Sequence, residues 1–235
     1  MRLAAGLIAA VVCLAQTDTL KLPPLKTSIT VEGQPVAITV WGAVSPAHLS
    51  ATVDLGDFQD HLTPILAAQL NRSDKCGERL SVEKVVLLPS GLLTANVHYE
   101  RFGCAKAFGK EITKRLVGGD AVVQVSLTPT VEENHIAMGA EVLKIDADGS
   151  LGEALRSGSF GDSIRQKIAN SVESSIRKSA DLKSALPAGV DSVATLRTVQ
   201  FADGGSGRLW LTIDGELHLS PEQFQGLAKG IMTRG

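Results

Sequence analysis

LGEALRSGSFGDSIRQKIANSVESSIRKSADLKSAL, residues 151–186, places an apolar residue at every fourth position: Phe160, Ile164, Ile168, Val172, Ile176 and Ala180. Arg165, Gln166, Lys167, Asn170, Glu173, Arg177 and Lys178 fill the gaps, which is the pattern of an amphipathic helix. A strict spacing of four drifts by ~40° per step on a helix of 3.6 residues per turn, so the stripe slants around the axis. A slanted stripe suits a helix lying across a twisted sheet better than a straight heptad seam. Ser159 or Asp162 can cap the helix, and Pro187 and Gly189 stop it. One long helix is expected here.

The sequence on either side alternates as strands do. Residues 28–32 and 36–41 flank Gly33-Gln34-Pro35 as a hairpin. Residues 57–70 place Phe58, Leu62, Ile65, Leu66 and Leu70 on one helical face, with Pro64 either kinking that helix or starting a shorter one behind Thr63. Residues 83–88 and 92–102 flank the turn Pro89-Ser90-Gly91, with Leu93, Ala95, Val97 and Tyr99 on one face of the second strand. Residues 105–116 carry Lys106, Lys110 and Lys114 at spacing four, opposite Phe108, Ile112 and Leu116. They read as a short helix ended by Gly118-Gly119. Residues 121–128 and 135–145 form another strand pair, and residues 192–201 and 208–219 a last one, its second strand bent at Gly215. Residues 221–232 close the chain as a terminal helix.

The first residues, MRLAAGLIAAVVCLAQ, combine an early Arg, a short apolar run and small residues near Ala15. Residues 1–15 are read as a secretory signal peptide, too short to span a membrane comfortably, and residues 20–235 as one domain. The mature chain is then periplasmic or secreted. Two cysteines remain, Cys76 and Cys104, and an even count in an oxidising compartment predicts one disulfide, worth roughly 3 kcal/mol by chain entropy.

Composition and motifs exclude more than they assign. A net charge of -2 supplies no field for nucleic acid, and 4% aromatics leave few stacking platforms. No nucleic-acid partner is expected. Asp146-Ala147-Asp148-Gly149-Ser150 lacks the glycine and glutamate positions of a calcium loop, since Leu151 and Ser157 stand there, and it reads as a turn. The five histidines, His48, His61, His98, His135 and His218, show no metal-binding spacing, and no nucleophile elbow, P-loop or dinucleotide fingerprint occurs. The chain is read as noncatalytic, with no cofactor and no metal. Lys106, Lys110 and Lys114 beside an apolar face suggest transient contact with a membrane surface, against the alternative of a solvated helix side.

This order of elements resembles the tubular lipid-binding (TULIP) superfamily in its bacterial exported, single-module form, over residues 27–219. The resemblance rests on the slanted stripe, the long strand 208–219 and a disulfide after the first helix. It implies an α+β fold: a curved antiparallel β-sheet wrapped around one long amphipathic helix, with a shorter N-terminal helix. It also implies a lipid or other apolar ligand held between that helix and the sheet. The expected lining is Leu62, Leu66, Val97, Met138, Ile164, Ile168, Val172, Ile176, Leu211 and Ile213. The alternative is a cell-envelope structural or interaction module with a filled core and no ligand. Cavity volume separates the two.

Overall fold

Runs of alternating apolar and polar residues dominate the chain, and each buries one face in a sheet. The computed structural model describes residues 19–107, 110–156, 166 and 194–232. Sheet A contains β1 (Leu20–Val31), β2 (Gln34–Val44), β3 (His48–Asp54), β9 (Ala194–Asp203) and β10 (Leu209–Leu217), in the order β1-β2-β3-β10-β9. Sheet B contains β4 (Arg72–Ser73), β5 (Gly77–Leu87), β6 (Leu92–Ala107), β7 (Lys110–Glu132) and β8 (His135–Ala147), in sequence order. All pairings are antiparallel. The helices are α1 (Gly56–Asp60), α2 (Leu62–Leu70), α3 (Gly149–Arg156) and α4 (Pro221–Met232).

The expected architecture, one curved sheet wrapped around one long helix, is corrected. The described residues form two five-stranded sheets with four helices, the longest of 12 residues. Most of the stretch read as the long helix, together with the signal peptide, lies outside the described residues. The described start of that stretch is in α3.

The helix expected over residues 105–116 is also corrected: apart from 108–109, which are outside the described residues, it is strand. The physical reason is an ambiguity of period. A spacing of four is close to one helical turn but is also two strand repeats, so Lys106, Lys110 and Lys114 fit both. Gly118-Gly119 does not stop a helix. It lies inside the 23-residue β7, where a missing side chain lets α3 approach. A Cβ on Gly119 would stand 2.5 Å from the Asp148 carbonyl oxygen. Ser150 Oγ exchanges hydrogen bonds with the backbone of Gly118 at 3.1 and 3.2 Å.

Turn chemistry sets the registers. The β1–β2 turn places Glu32 and Gly33 at φ 47° and 77°, and the β7–β8 turn places Glu133 and Asn134 at 48° and 63°. Two central residues with positive φ make the tight hairpin turn whose twist matches the strands. In β10 the alternation Leu209, Leu211, Ile213, Gly215, Leu217 is buried on one face, and the strand continues through Gly215, where its pairing with β9 shifts register.

The single expected helix of residues 57–70 is two, broken at His61 and not at Pro64. Pro64 is the third residue of α2, where its missing N–H costs no helical bond. The pair lies between the sheets. Leu62 and Leu66 enter the sheet B core, Ile65 enters the sheet A core, and Leu55, Phe58 and Phe201 touch both. A third, small cluster of Val44, Leu49, Ala194 and Leu217 at the far end of sheet A is covered by Leu22, Leu219 and Phe224 of α4.

Polar side chains from the α1–α2 segment and Asn71 satisfy strand edges that have no strand neighbour among the described residues. Beyond the two residues paired with β4, β5 is bonded by side chains: Val82 N–H donates to Asn71 Oδ1 at 2.7 Å, and Val85 N–H to Thr63 Oγ1 at 2.9 Å. Asp57 Oδ2 accepts from Ala37 N–H at 2.6 Å, beyond the end of β3. Such edges otherwise invite pairing with another chain. Two carboxamides join the sheets. Gln59 Nε2 donates to Leu87 O at 2.6 Å and Gly207 O at 3.0 Å, while its Oε1 accepts from Leu209 N–H at 3.1 Å. Asn134 Nδ2 donates to Ala194 O at 2.9 Å and its Oδ1 accepts from Leu196 N–H at 2.7 Å.

Candidate functional site

The inner face of sheet B is aliphatic across four strands. Antiparallel register aligns Leu87, Leu93, Val125 and Val142 in one row, then Val85, Ala95, Val123 and Ile145, then Val82, Val97, Ala121 and Ala147. Four strands at ~4.8 Å spacing are about 19 Å wide, whereas one helix covers about 10 Å. Among the described helices, α2 covers the β5 side and α3 the end of β7 near Gly119. Toward β8 the coverage thins: Val97, Met138, Ala140, Val142 and Ile145 are only partly buried, although they pack against the same core.

Under α2 a cavity of ≈ 60 Å³ is walled by Leu66, Leu70, Leu80, Val82, Leu93, Ala95, Val97, Val123 and Val125. Water occupies about 30 Å³ per molecule in the liquid, and purely apolar cavities of this kind stay dry. Ligand pockets run to ~300 Å³ and more, so this volume alone seats no acyl chain.

The expected lining residues divide. Leu66 and Val97 line the cavity, Leu62 is buried beside it, and Met138 lies further along the same face. Leu211 and Ile213 belong to the sheet A core instead, on the other side of the α1–α2 segment. Ile164, Ile168, Val172 and Ile176 lie outside the described residues. Ala140, Val142 and Ile145 were not in the expected lining. Their signal is the alternation Met138, Ala140, Val142, interrupted by one extra residue, Leu143, where the β7–β8 register shifts.

A polar cleft of ≈ 430 Å³ opens at the seam of the sheets, between α1 (Gly56, Gln59, Asp60), the end of β5 (Val85, Val86, Leu87) and the β9–β10 turn (Gly205, Ser206, Gly207, Arg208). Arg208 Nε meets both oxygens of Asp54 at 2.9 and 3.0 Å, and that hydrogen bond raises its already high pKa. Gly56 leaves room for this guanidinium, since a Cβ there would be 2.5 Å from Arg208 Nε.

His98 faces outward on β6, 40% exposed, and pairs with Asp120 at 2.6 Å; Glu100 lies 3.9 Å away. The Asp120 hydrogen bond, helped by the charges of Asp120, Glu100 and Glu83 and opposed by burial, raises its pKa above the ordinary value. On the inner face, burial pushes the Tyr99 phenol up to about 12. Among the described residues the His98 group lines neither the aliphatic cavity nor the polar cleft, so nothing described encloses a substrate there.

Cys76 and Cys104 form a disulfide with Cα atoms 5.6 Å apart, closing a separation of 28 residues. Chain entropy makes such a loop worth about 3.5 kcal/mol. The sulfurs and a Glu111 carboxylate oxygen lie within 4.8 Å of one another, but sulfurs bonded to each other are not thiolate ligands. No helix among the described residues is long and apolar enough to cross a membrane. Comparison with protein-family models, with curated proteins and with solved structures finds no match for this chain.

Proposed function

We propose that the protein is an exported, noncatalytic binder of an apolar ligand of the lipid class, seated on the inner face of sheet B. The observation carrying this reading is the aliphatic face itself, four strands wide and, among the described residues, only partly covered on β8 at Met138, Ala140, Val142 and Ile145. Burying about ten methylenes there at ~0.8 kcal/mol each supplies gross micromolar affinity before ordering costs. Export is supported by the apolar leader and by the disulfide, which persists in oxidising compartments. The second reading is a cell-envelope interaction module without a ligand, favoured by the ≈ 60 Å³ size of the enclosed aliphatic cavity.

Native mass spectrometry of the mature protein, with solvent extraction of the same sample, separates the two. A reproducible excess mass that yields an extractable lipid supports the binder, and Val142→Glu should then lose the excess while staying folded. A bare polypeptide mass, lower by two hydrogens for the disulfide and unchanged by added lipid, supports the interaction module. A folded Val142→Glu that still carries lipid places the ligand elsewhere.

A further inference from the structure

Strands β6 and β7 continue beyond the rest of sheet B. The last pairing with β5 is Phe102 to Gly77, and β8 ends opposite Ala121. Beyond Phe102 the two strands pair only with each other among the described residues, through five registers from Gly103–Lys114 to Ala107–Lys110. This makes a ribbon about 17 Å long at ~3.4 Å per residue.

The two faces of the ribbon differ. One is tied down: Cys104 is bonded to Cys76, its Sγ lies 3.7 Å from Thr113 Oγ1, and Glu111 accepts from Lys75 Nζ at 3.2 Å. Among the described residues, no loop is bonded to the opposite face. Ile112 is 55% and Leu116 56% exposed, two of the most exposed large apolar side chains described. Ile112 stands across from the exposed Ala105, and Lys114 across from Gly103. Leu116 Cδ1 lies 3.1 Å from where a Gly103 side chain would begin, so Leu116, Lys114 and Ile112 share one face.

A helix would have set lysines opposite the aliphatics. The strand puts Lys114 between two of them. Of the cations in residues 102–117, Lys114 shares the face of Ile112, whereas Lys106 stands across from Glu111 on the disulfide face and Arg115 pairs with Glu100 at 3.1 Å, so the positive charge of this face rests on Lys114.

We propose that this ribbon face docks the protein on the surface of an anionic phospholipid bilayer, with Ile112 and Leu116 entering the headgroup region and Lys114 meeting lipid phosphates. Exposed aliphatics beside a localised positive charge are the two ingredients of interfacial binding, and each alone is weak. The disulfide holds the ribbon against the 75–76 loop, so little ordering cost remains on docking. The proposal deepens the lipid-binding reading, in that it gives such a binder a place to meet its source of lipid, but it rests on different residues.

The test is cosedimentation of the full mature chain with vesicles of phosphatidylglycerol in phosphatidylcholine, and with vesicles of phosphatidylcholine alone. The anionic vesicles should bind the protein and the neutral ones should not, and salt should release it. Lys114→Glu should weaken binding by at least about tenfold, since each basic residue at such a surface is worth roughly fivefold. The double variant Ile112→Ser with Leu116→Ser should lose the binding that survives in moderate salt. Circular dichroism and the free-thiol count show that each variant keeps its fold and disulfide. Equal binding to both vesicle types, binding to neither, or folded variants that bind like the parent would overturn the proposal. Mass spectrometry of the same variants keeps the two readings apart: loss of vesicle binding with retained ligand concerns only the ribbon, and vesicle binding by a ligand-free chain leaves the ribbon standing while the binder falls.

Discussion

Replacing Gln59 by Leu removes one side chain that joins sheet A, sheet B and α1. Its carboxamide makes three bonds to backbone: to Leu87 O and to Leu209 N–H in partly buried surroundings, and to Gly207 O at an exposed position. A hydrogen bond is worth about 1 kcal/mol net, and a buried group left without a partner costs at least that much. Two partly buried bonds at about 1 kcal/mol and one exposed bond at about half that give a loss near 2.5 kcal/mol. For a domain of this size that lowers the melting temperature by roughly 5–10 °C. The assay is urea denaturation under oxidising conditions, followed by far-UV and near-UV circular dichroism. Trp210 follows Leu209 in β10 and meets Trp41 edge-on at 5.0 Å, so the near-UV signal reports the same end of sheet A. Gln59→Glu is the sharper control. It keeps an acceptor for Leu209 N–H but sets a carboxylate against two carbonyl oxygens, so at neutral pH it should destabilise at least as much as the leucine variant. Acidification should restore part of the loss by supplying a proton to donate. A change below about 0.5 kcal/mol in Gln59→Leu, the range of ordinary surface substitutions, would refute the assignment of Gln59 as the joint between the sheets.

Gly119→Ala should destabilise by about 2 kcal/mol, the usual range for overpacking, because its methyl group would meet the Asp148 carbonyl oxygen ahead of α3. Hydrogen exchange should localise the loss to α3 and the adjoining part of β7, and uniform exchange across both sheets would contradict that packing account. The pH dependence tests the His98–Asp120 pair. The folded pKa of His98 lies above its unfolded value of 6.5, so the pair's stabilisation is fully present below that value and is lost as pH rises through the folded one. Asp120→Asn should flatten the denaturation midpoint over that window, and an unchanged slope would mean that His98 does not carry it.

The period-2 faces of β6 and β10 were legible in the residues themselves. So were the hairpin at Pro89-Ser90-Gly91 and the pairing of Cys76 with Cys104, because each depends on local geometry or on simple counting. The first hairpin was legible too, but its turn is Glu32-Gly33 and not Gly33-Gln34-Pro35, since Gln34 and Pro35 already pair in β2. The aliphatic character of the candidate face was legible for the same reason at Leu66, Val97 and Met138. Ala140, Val142 and Ile145 were hidden by the extra residue Leu143, which shifts the alternation by one.

Local pattern determined that the chain would be rich in amphipathic strands, that residues 57–70 would be largely helical, and that two cysteines would be bonded. That this segment is two helices apolar on both sides was set by its place between the sheets. Tertiary structure alone decided that β3 pairs with β10, more than 150 residues away, and not with β5, which divides one expected sheet into two. It also decided that Lys106, Lys110 and Lys114 lie on a ribbon, since a spacing of four satisfies a helix and a strand alike and only a partner strand chooses between them. The roles of Gln59 and Asn134 follow from the same cause. A carboxamide carries no pattern, and its function is set by which backbone groups the two sheets leave facing each other.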